Sequence, residues 1–232
     1  MGAAALAACA GAVDLLAVTT LGGAFASIVT GNLVTLGYGL GTGDPHRAIA
    51  AVTATAGFGV GVAAWTWLGR FRPAAVLGPL AAQLVALVVV AAGLLATGSR
   101  PDPVAAGALL AVAAMAMGGQ SVVGLRLKVP TTYMTGTLTS ALGGLVTGQR
   151  TGQGQRFIQL IALVAGATTT AALRAYLPSA APLLPPVLLA TAMLLLARAR
   201  QVERAGSAHG HAGQEHAERD PAGVRRTEPA RI

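Results

Sequence analysis

The sequence predicts an all-α membrane protein with about six transmembrane helices and two Gly/Thr-rich interrupted or re-entrant segments, built from two inverted repeats. Three observations support this fold class. Of the 232 residues, 54% are hydrophobic and 10% are charged, whereas soluble proteins average roughly 25% charged residues. Six apolar runs have the length of about 20 residues that a helix needs to cross a bilayer. Finally, a Thr-Gly-x-Leu motif occurs once in each half of the chain.

The six apolar runs are dominated by Leu, Ala and Val and show no alternation of polar and apolar residues, which favours helices over a β-barrel. Pro103 and Pro186 suit the first turn of a helix, where the missing N–H costs nothing. Cys9 is the single cysteine, so no intramolecular disulfide forms, and we expect it to pack as a small hydrophobe. The runs cover about 3–22, 48–69, 75–97, 103–124, 156–177 and 180–198.

Two semi-apolar segments, 24–41 and 131–148, are rich in Gly, Thr and Ser and are shorter than a comfortable membrane span. They carry the internal repeat. The motif from Thr30 to Leu33 recurs 105 residues later, from Thr135 to Leu138. Gly61 and Gly166 have the same spacing. The repeats therefore span about 3–97 and 103–198 of a membrane domain covering residues 1–200.

One residue of slippage in this register aligns Asp14 with Gln120, each a lone strongly polar residue within the helix that precedes its Thr-Gly segment.

Charge predicts how the repeats cross the membrane. Residues 1–200 hold all of the net charge of +8, as single or paired basic residues between apolar runs, a pattern typical of membrane-protein loops and not of nucleic-acid binding. With six spans and both termini cytoplasmic, eight basic residues lie inside and three outside, as the positive-inside rule requires. With eight spans, five basic residues would lie outside: Arg70, Arg72, Arg126, Lys128 and Arg174. We therefore predict a cytoplasmic membrane protein in which the second repeat is inverted.

Residues 201–232 form a polar C-terminal segment that we predict to be a disordered tail, because it cannot bury enough apolar area to fold alone. His209, His211, Glu215 and His216 offer a divalent-metal site as an alternative. A flexible cluster of this kind binds metals weakly. We therefore predict no metal site and no cofactor.

Asp14 is the only acidic residue inside an apolar run. An intramembrane acid costs about 2.5–3.5 kcal/mol to insert and is a functional candidate by default. Two interpretations remain open at this stage. Asp14 carries a coupling proton, or it makes a structural hydrogen bond to the backbone of a Thr-Gly segment.

The Thr-Gly motifs are the other candidate binding elements. Each would form the end of a half-helix, with freed N–H groups and a partial positive charge facing the membrane centre. Structural alternatives exist for every residue: the amides can join helices, the threonines can bond to their own helix, and the tyrosine can anchor an interface. The predicted substrate- or ion-binding residues are Asp14, Thr30, Gly31, Asn32, Gln120, Tyr133, Thr135, Gly136 and Thr137.

Four motifs together resemble the YoaK family of small bacterial membrane proteins, over roughly residues 5–198. The resemblance implies about six spans and gives no substrate, since the molecular function of the family is not established. The chain departs from the pattern at Leu15 and Ser121, where alanine and asparagine are expected. The motifs are Gly11-x-x-Asp14, Thr30-Gly31-Asn32, Met117-Gly118-x-Gln120 and Thr131-Thr132-Tyr133-Met134-Thr135-Gly136-Thr137.

No hydrolase elbow, zinc-protease motif or Walker loop occurs in the sequence, and one intramembrane acid is too few for acid–base catalysis. We therefore predict no enzyme. The favoured hypothesis is a small secondary transporter for a small polar or anionic solute, proton-coupled through Asp14. The alternative is a non-transporting scaffold or sensor acting through the C-terminal tail. The expected partners are the lipid bilayer and the solute, and glycine-rich helix faces permit a homodimer.

Overall fold

The computed structural model describes residues 1–71, 76–127, 134–148 and 152–217, with side chains as far as residue 202. All regular structure in these residues is helical. A 3-10 turn over Ala181–Leu183 precedes the last helix. The α-helices are α1 (Gly2–Thr20), α2 (Val29–Thr42), α3 (Pro45–Leu68), α4 (Leu77–Ala96), α5 (Pro103–Arg126), α6 (Met134–Val146), α7 (Gln153–Tyr176) and α8 (Leu184–Ala217).

Six of the helices in the described residues are long and apolar enough to cross a membrane, and they correspond to the six predicted runs. The other two, α2 and α6, have 14 and 13 residues. At 1.5 Å per residue each is about 20 Å long, which is shorter than the roughly 30 Å hydrocarbon core of a bilayer. The predicted fold class is therefore confirmed: an all-helical chain with six candidate spans and two shorter segments.

Two of the long helices begin in the same way, with an aspartate cap followed by proline. Asp44 precedes α3 and its side chain accepts a bond from the Arg47 backbone N–H. Asp102 precedes α5 and accepts bonds from the N–H groups of Val104 and Ala105 at 2.9 and 3.0 Å. The caps satisfy N–H groups that have no partner within the helix, so the sequence fixes where both spans begin.

Helices α1 and α7 approach each other through glycines. A Cβ on Gly11 would overlap the backbone oxygen of Leu163, and a Cβ on Gly166 would overlap the backbone oxygen of Ala8. Small residues of this kind let two helix backbones come into contact within a membrane. The two glycines therefore define a close helix crossing.

Helices α3 and α5 repeat this crossing. A Cβ on Gly118 would overlap the backbone oxygen of Phe58, and a Cβ on Gly61 would overlap that of Met115. Each residue of α7 in the first crossing lies 105 residues after its counterpart in α3, and each residue of α5 lies 107 after its counterpart in α1. The same packing thus occurs twice, each time between one helix of each half.

Helices α1 and α5, which correspond in this repetition, run in opposite directions. Gln120 near the end of α5 contacts Leu6 near the start of α1. Val13 and Ala113, each seven residues away from that contact, line one small cavity. A later position in α1 is therefore close to an earlier position in α5. The two helices are antiparallel.

The chain divides into two compact units, Met1–Met193 and Leu194–Ile232. In the second unit, α8 continues as far as Ala217, whereas the sequence analysis predicted disorder from residue 201. Nine of the 17 residues from 201 to 217 are alanine, glutamine, glutamate or arginine, which favour a helix. Residues 218–232 of the predicted tail lie outside the described residues.

Candidate functional site

The connection between α1 and α2 turns back into the helical bundle. Gly22 and Gly23 both have positive φ, at 106° and 84°, a conformation that side chains with a Cβ disfavour. The chain then reaches Asp14, six residues before the end of α1. The Ser27 N–H donates to Asp14 Oδ1 at 2.8 Å and the Ser27 hydroxyl donates to Oδ2 at 2.6 Å. Asp14 therefore holds Ser27 of this connection beside the interior of α1, six residues before the end of that helix.

Asn32 fixes the same connection from the other side. Its Oδ1 accepts the Phe25 N–H at 2.8 Å, and its Nδ2 donates to the Phe25 carbonyl at 2.7 Å. The Asn32 side chain is 1% exposed. Both ends of its amide are thus committed to the backbone of one residue. Helix α2 starts at Val29, between these two anchors, so its first turn lies near the depth of Asp14.

The second half places neutral residues at the corresponding positions. By the spacing of the helix crossings, Ser121 corresponds to Asp14, while Thr137 lies 105 residues after Asn32. Both are buried, and both have an interaction partner. The sequence analysis aligned Asp14 with Gln120 instead. The packing gives a spacing of 107 residues for these helices, one more than the spacing of 106 between Asp14 and Gln120. The chain from Asp14 to Asn32 is two residues longer than the chain from Ser121 to Thr137, so the helices and the Thr-Gly segments have different spacings.

A second polar cluster joins α1, α4 and α5. The Gln83 Nε2 donates to Gln120 Oε1 at 2.7 Å, and the Gln120 Nε2 donates to the carbonyl of Leu6 at 3.0 Å. These bonds fix both amide orientations. They leave the Gln83 Oε1, which is buried, without a partner among the described residues. An unpartnered buried acceptor is costly, and it is able to receive a donor from a solute.

Sequence reasoning missed Gln83. The available signal was a lone amide in an otherwise apolar run, the same signal that identified Gln120. Gln159 in α7 is a second missed residue of this kind: it is 1% exposed, and its Nε2 has no partner among the described residues.

A small apolar cavity, which we call the throat, lies between α1, α4, α5 and the segment around Pro182. Its lining includes Val13, Leu16, Leu87, Val90 and Pro182, and its volume is about 10 Å³. A cavity needs at least about 10–15 Å³ to hold one water. The throat is therefore closed to anything larger than a single water molecule.

Beyond the throat lies a wider cavity of about 470 Å³, which we call the mouth. It shares Leu16 and Pro182 with the throat. Its polar lining includes Thr20 at the end of α1, Thr97 after α4, and Arg174 near the end of α7. Mouth, throat and amide pair thus follow one another along α4, from Thr97 through Val90 to Gln83, over about 20 Å at the rise of an α-helix.

The predicted binding residues do not form one site. Asp14 and Asn32 meet at the α1–α2 connection, and Gln120 belongs to the amide pair. Thr30, Thr135 and Gly136 are exposed, Gly31 packs near Phe25, and Thr137 is buried in α6. Tyr133 lies outside the described residues, as do the side chains of the histidine-containing tail. In the part of the chain that the structure describes, no group of three His, Cys, Asp or Glu residues is placed to hold a metal.

A family model described as Protein of unknown function (DUF1275) matches residues 2–196. The chain belongs to the DUF1275 family. This membership agrees with the resemblance to YoaK proteins that the motifs showed, and it covers both halves of the repeat. No curated protein and no solved structure matches the chain.

Proposed function

We propose that this DUF1275 protein is a small secondary transporter for a small polar or anionic solute, with two inverted repeats and both termini in the cytoplasm. The observation that carries the proposal is the series of mouth, throat and amide pair between α1, α4 and α5. Along α4, a cavity with a polar lining is followed by a small apolar cavity and then by a buried oxygen that has no partner among the described residues. This is the order expected of a transporter closed on one side.

The antiparallel pair of α1 and α5 supports the inversion. With three spans in each half, corresponding helices cross the membrane in opposite directions, whereas four spans would make them parallel. Short helices that begin within the membrane at matching places in two halves are typical of transporter binding sites. The position of α2 beside Asp14 agrees with that arrangement.

Asp14 is the proposed coupling residue. Its two carboxylate oxygens accept both bonds from Ser27. A protonated carboxyl group has less acceptor capacity and a new donor. Proton binding would weaken the contact that holds the α1–α2 connection inside the bundle, and this gives a physical link between a proton and the movement of a re-entrant segment.

Topology is tested with single cysteines in a Cys9→Ala background. Thr42 ends α2, Thr147 directly follows α6, and both residues are exposed. They are separated by the repeat spacing of 105 residues. A membrane-impermeant maleimide applied to intact cells should label Thr42→Cys and leave Thr147→Cys unlabelled until the cells are permeabilised. Labelling of both or neither from outside contradicts inverted repeats.

Transport is tested in proteoliposomes with radiolabelled phosphate, sulfate and succinate, under an imposed pH gradient. We expect saturable uptake of at least one anion, loss of the gradient effect in Asp14→Asn, and loss of uptake in Gln83→Leu. Asp102→Asn is the control, because asparagine also caps a helix and this residue lies at the surface. Equal fluxes in all four proteins would contradict the proposed mechanism. A function lost only on removal of residues 201–232 would favour the scaffold alternative.

A further inference from the structure

The mouth contains two arginines and several hydroxyl groups. Arg100, Arg174, Thr20, Thr97 and Ser99 contribute to the lining of this 470 Å³ cavity. Ligand sites for small molecules have volumes of about 300–1,000 Å³, so the cavity is large enough for a small solute or a lipid headgroup. No carboxylate is part of its lining in the described residues.

Arg174 is held in place by the end of α1. Its Nη1 donates to the hydroxyls of both Thr19 and Thr20. An arginine has five N–H donors, three of which belong to Nε and Nη2. Those three have no hydrogen-bond partner among the residues that the structure describes. The guanidinium is therefore fixed along one edge and available along another, which is the geometry that binds an oxyanion through two parallel bonds.

Arg47, by comparison, is an arginine whose charge is paired with a carboxylate. Its Nε lies 3.2 Å from Asp44 Oδ2, and its guanidinium stacks over the ring of Tyr38. Within the described part of the chain, Arg100 and Arg174 have no such carboxylate. The nearest acid in sequence, Asp102, uses its side chain to cap α5. Neither mouth arginine is therefore paired with a carboxylate among these residues.

The helix ends around the mouth reduce this charge without cancelling it. Helices α1, α4 and α7 end here, and each C-terminus carries about half a negative charge. Some of these terminal carbonyls already accept local bonds: Gly93 from the Thr97 hydroxyl at 2.9 Å and Leu94 from the Ser99 N–H at 2.6 Å. The three helix ends together carry about one and a half negative charges, so the two arginines exceed them and favour an anion in the cavity.

We propose that the mouth is an anion-binding site that takes a small oxyanion group, a phosphate, sulfate or carboxylate. Arg174 binds the group through its free edge, and Arg100, which is exposed at the rim, supplies the second charge. The ligand is either a free anion or the phosphate of a lipid headgroup, which share this chemistry. The inference deepens the proposed function, because it assigns the charge of the solute that enters, but its test measures binding and not flux.

The test uses the full chain in phosphatidylcholine nanodiscs, with radiolabelled phosphate and sulfate in a scintillation proximity assay at constant ionic strength. Arg100→Gln and Arg174→Gln should each weaken binding by about tenfold or more, the effect of losing one charged hydrogen-bonding partner. Arg47→Gln removes the same charge from a paired arginine and should change binding by less than about twofold. Arg174→Lys keeps the charge and should retain part of the binding.

A second arm identifies the source of the anion. Nanodiscs containing phosphatidylglycerol are analysed by native mass spectrometry for lipid that stays bound to the protein. If phosphatidylglycerol is retained by the wild-type chain and lost from Arg100→Gln, while free anions do not bind, the ligand is a lipid headgroup. If neither free anions nor lipid distinguish the wild-type chain from the correctly folded Arg100→Gln variant, the anion site is overturned. Anion binding without any flux would leave the site intact and contradict the transporter.

Discussion

The two halves of the molecule share their helix packing but differ in the chemistry of their short segments. Glycine crossings of the same kind join α1 to α7 and α3 to α5. At the corresponding place beside these crossings, the first half has Asp14 and the second half has Ser121. Backbone packing is therefore repeated where shape is required, while this one position has an ionisable side chain in the first half and a neutral one in the second. The proposed proton-dependent step would therefore depend on the first half.

The largest expected effect comes from the crossings themselves. Gly61→Leu and Gly166→Leu each place a side chain where a helix backbone lies, so each should reduce the free energy of unfolding by about 3 kcal/mol or more. Thermal unfolding in detergent and the yield of monodisperse protein measure the loss. Gly59→Leu is the matched control, because a Cβ on Gly59 meets nothing within 4 Å. An equal loss of stability in Gly59→Leu would contradict the assigned role of the crossings. A loss in only one of the variants Gly61→Leu and Gly166→Leu would contradict the shared packing of the two halves.

The next effect separates the two halves. Asp14→Ala removes the acceptor of both Ser27 bonds and leaves two buried donors without a partner, so we expect a loss of about 3 kcal/mol. Ser121→Ala removes a neutral hydroxyl and should cost about 1 kcal/mol. Unfolding midpoints of the two variants, measured side by side, give the difference. Similar losses would mean that charge does not distinguish the halves.

A smaller effect is expected at Asn32. Asn32→Ala breaks its two bonds to Phe25, each of which contributes about 1 kcal/mol. Hydrogen exchange followed by mass spectrometry should show faster exchange in the peptide containing residues 21–28. The peptide from α4 serves as an internal reference, since α4 does not carry these bonds. Unchanged exchange in the connection would show that Asp14 alone holds it.

The smallest effect on stability is expected at Gln83. Gln83→Leu loses one bond to Gln120 but also removes a buried oxygen that has no partner. The two contributions oppose each other, so the unfolding midpoint should correspond to a change within about 1 kcal/mol. The same variant should abolish uptake. A large loss of stability would instead identify the amide pair as a structural element and weaken its assignment to the solute pathway.

Much of the fold could be predicted from the sequence, because long apolar runs and their breaks reflect the thickness of a bilayer directly. The repeat of the Thr-Gly motif also gave the matching short helices. The register of Asp14 could not be obtained this way, since residues that pack against each other lie in α1 and α7, far apart in the chain. A two-residue difference between the short connections shifted the sequence alignment.

The site was less predictable than the fold. Asp14 and Asn32 were identified as unusual polar residues, yet only the structure shows that both bind the same connection. Gln83 carries the same signal as Gln120 but gains its meaning from their contact across two helices. The mouth could not be predicted at all, because it brings together residues from the ends of α1, α4 and α7, and these arginines resemble ordinary loop charges in the sequence.

The glycine crossings also bear on how the protein is made. Both join a helix of one half to a helix of the other, so α1 and α3 lack their close partners until the second half has been synthesised. Gly11 precedes its contact Leu163 by 152 residues, and Gly61 precedes Met115 by 54. At about 5–20 residues per second, synthesis of these stretches takes on the order of 8–30 s and 3–11 s. During these intervals the glycine faces of α1 and α3 lack the helices that cover them in the folded chain. A chain that stops between the halves therefore exposes glycine faces that the complete chain buries.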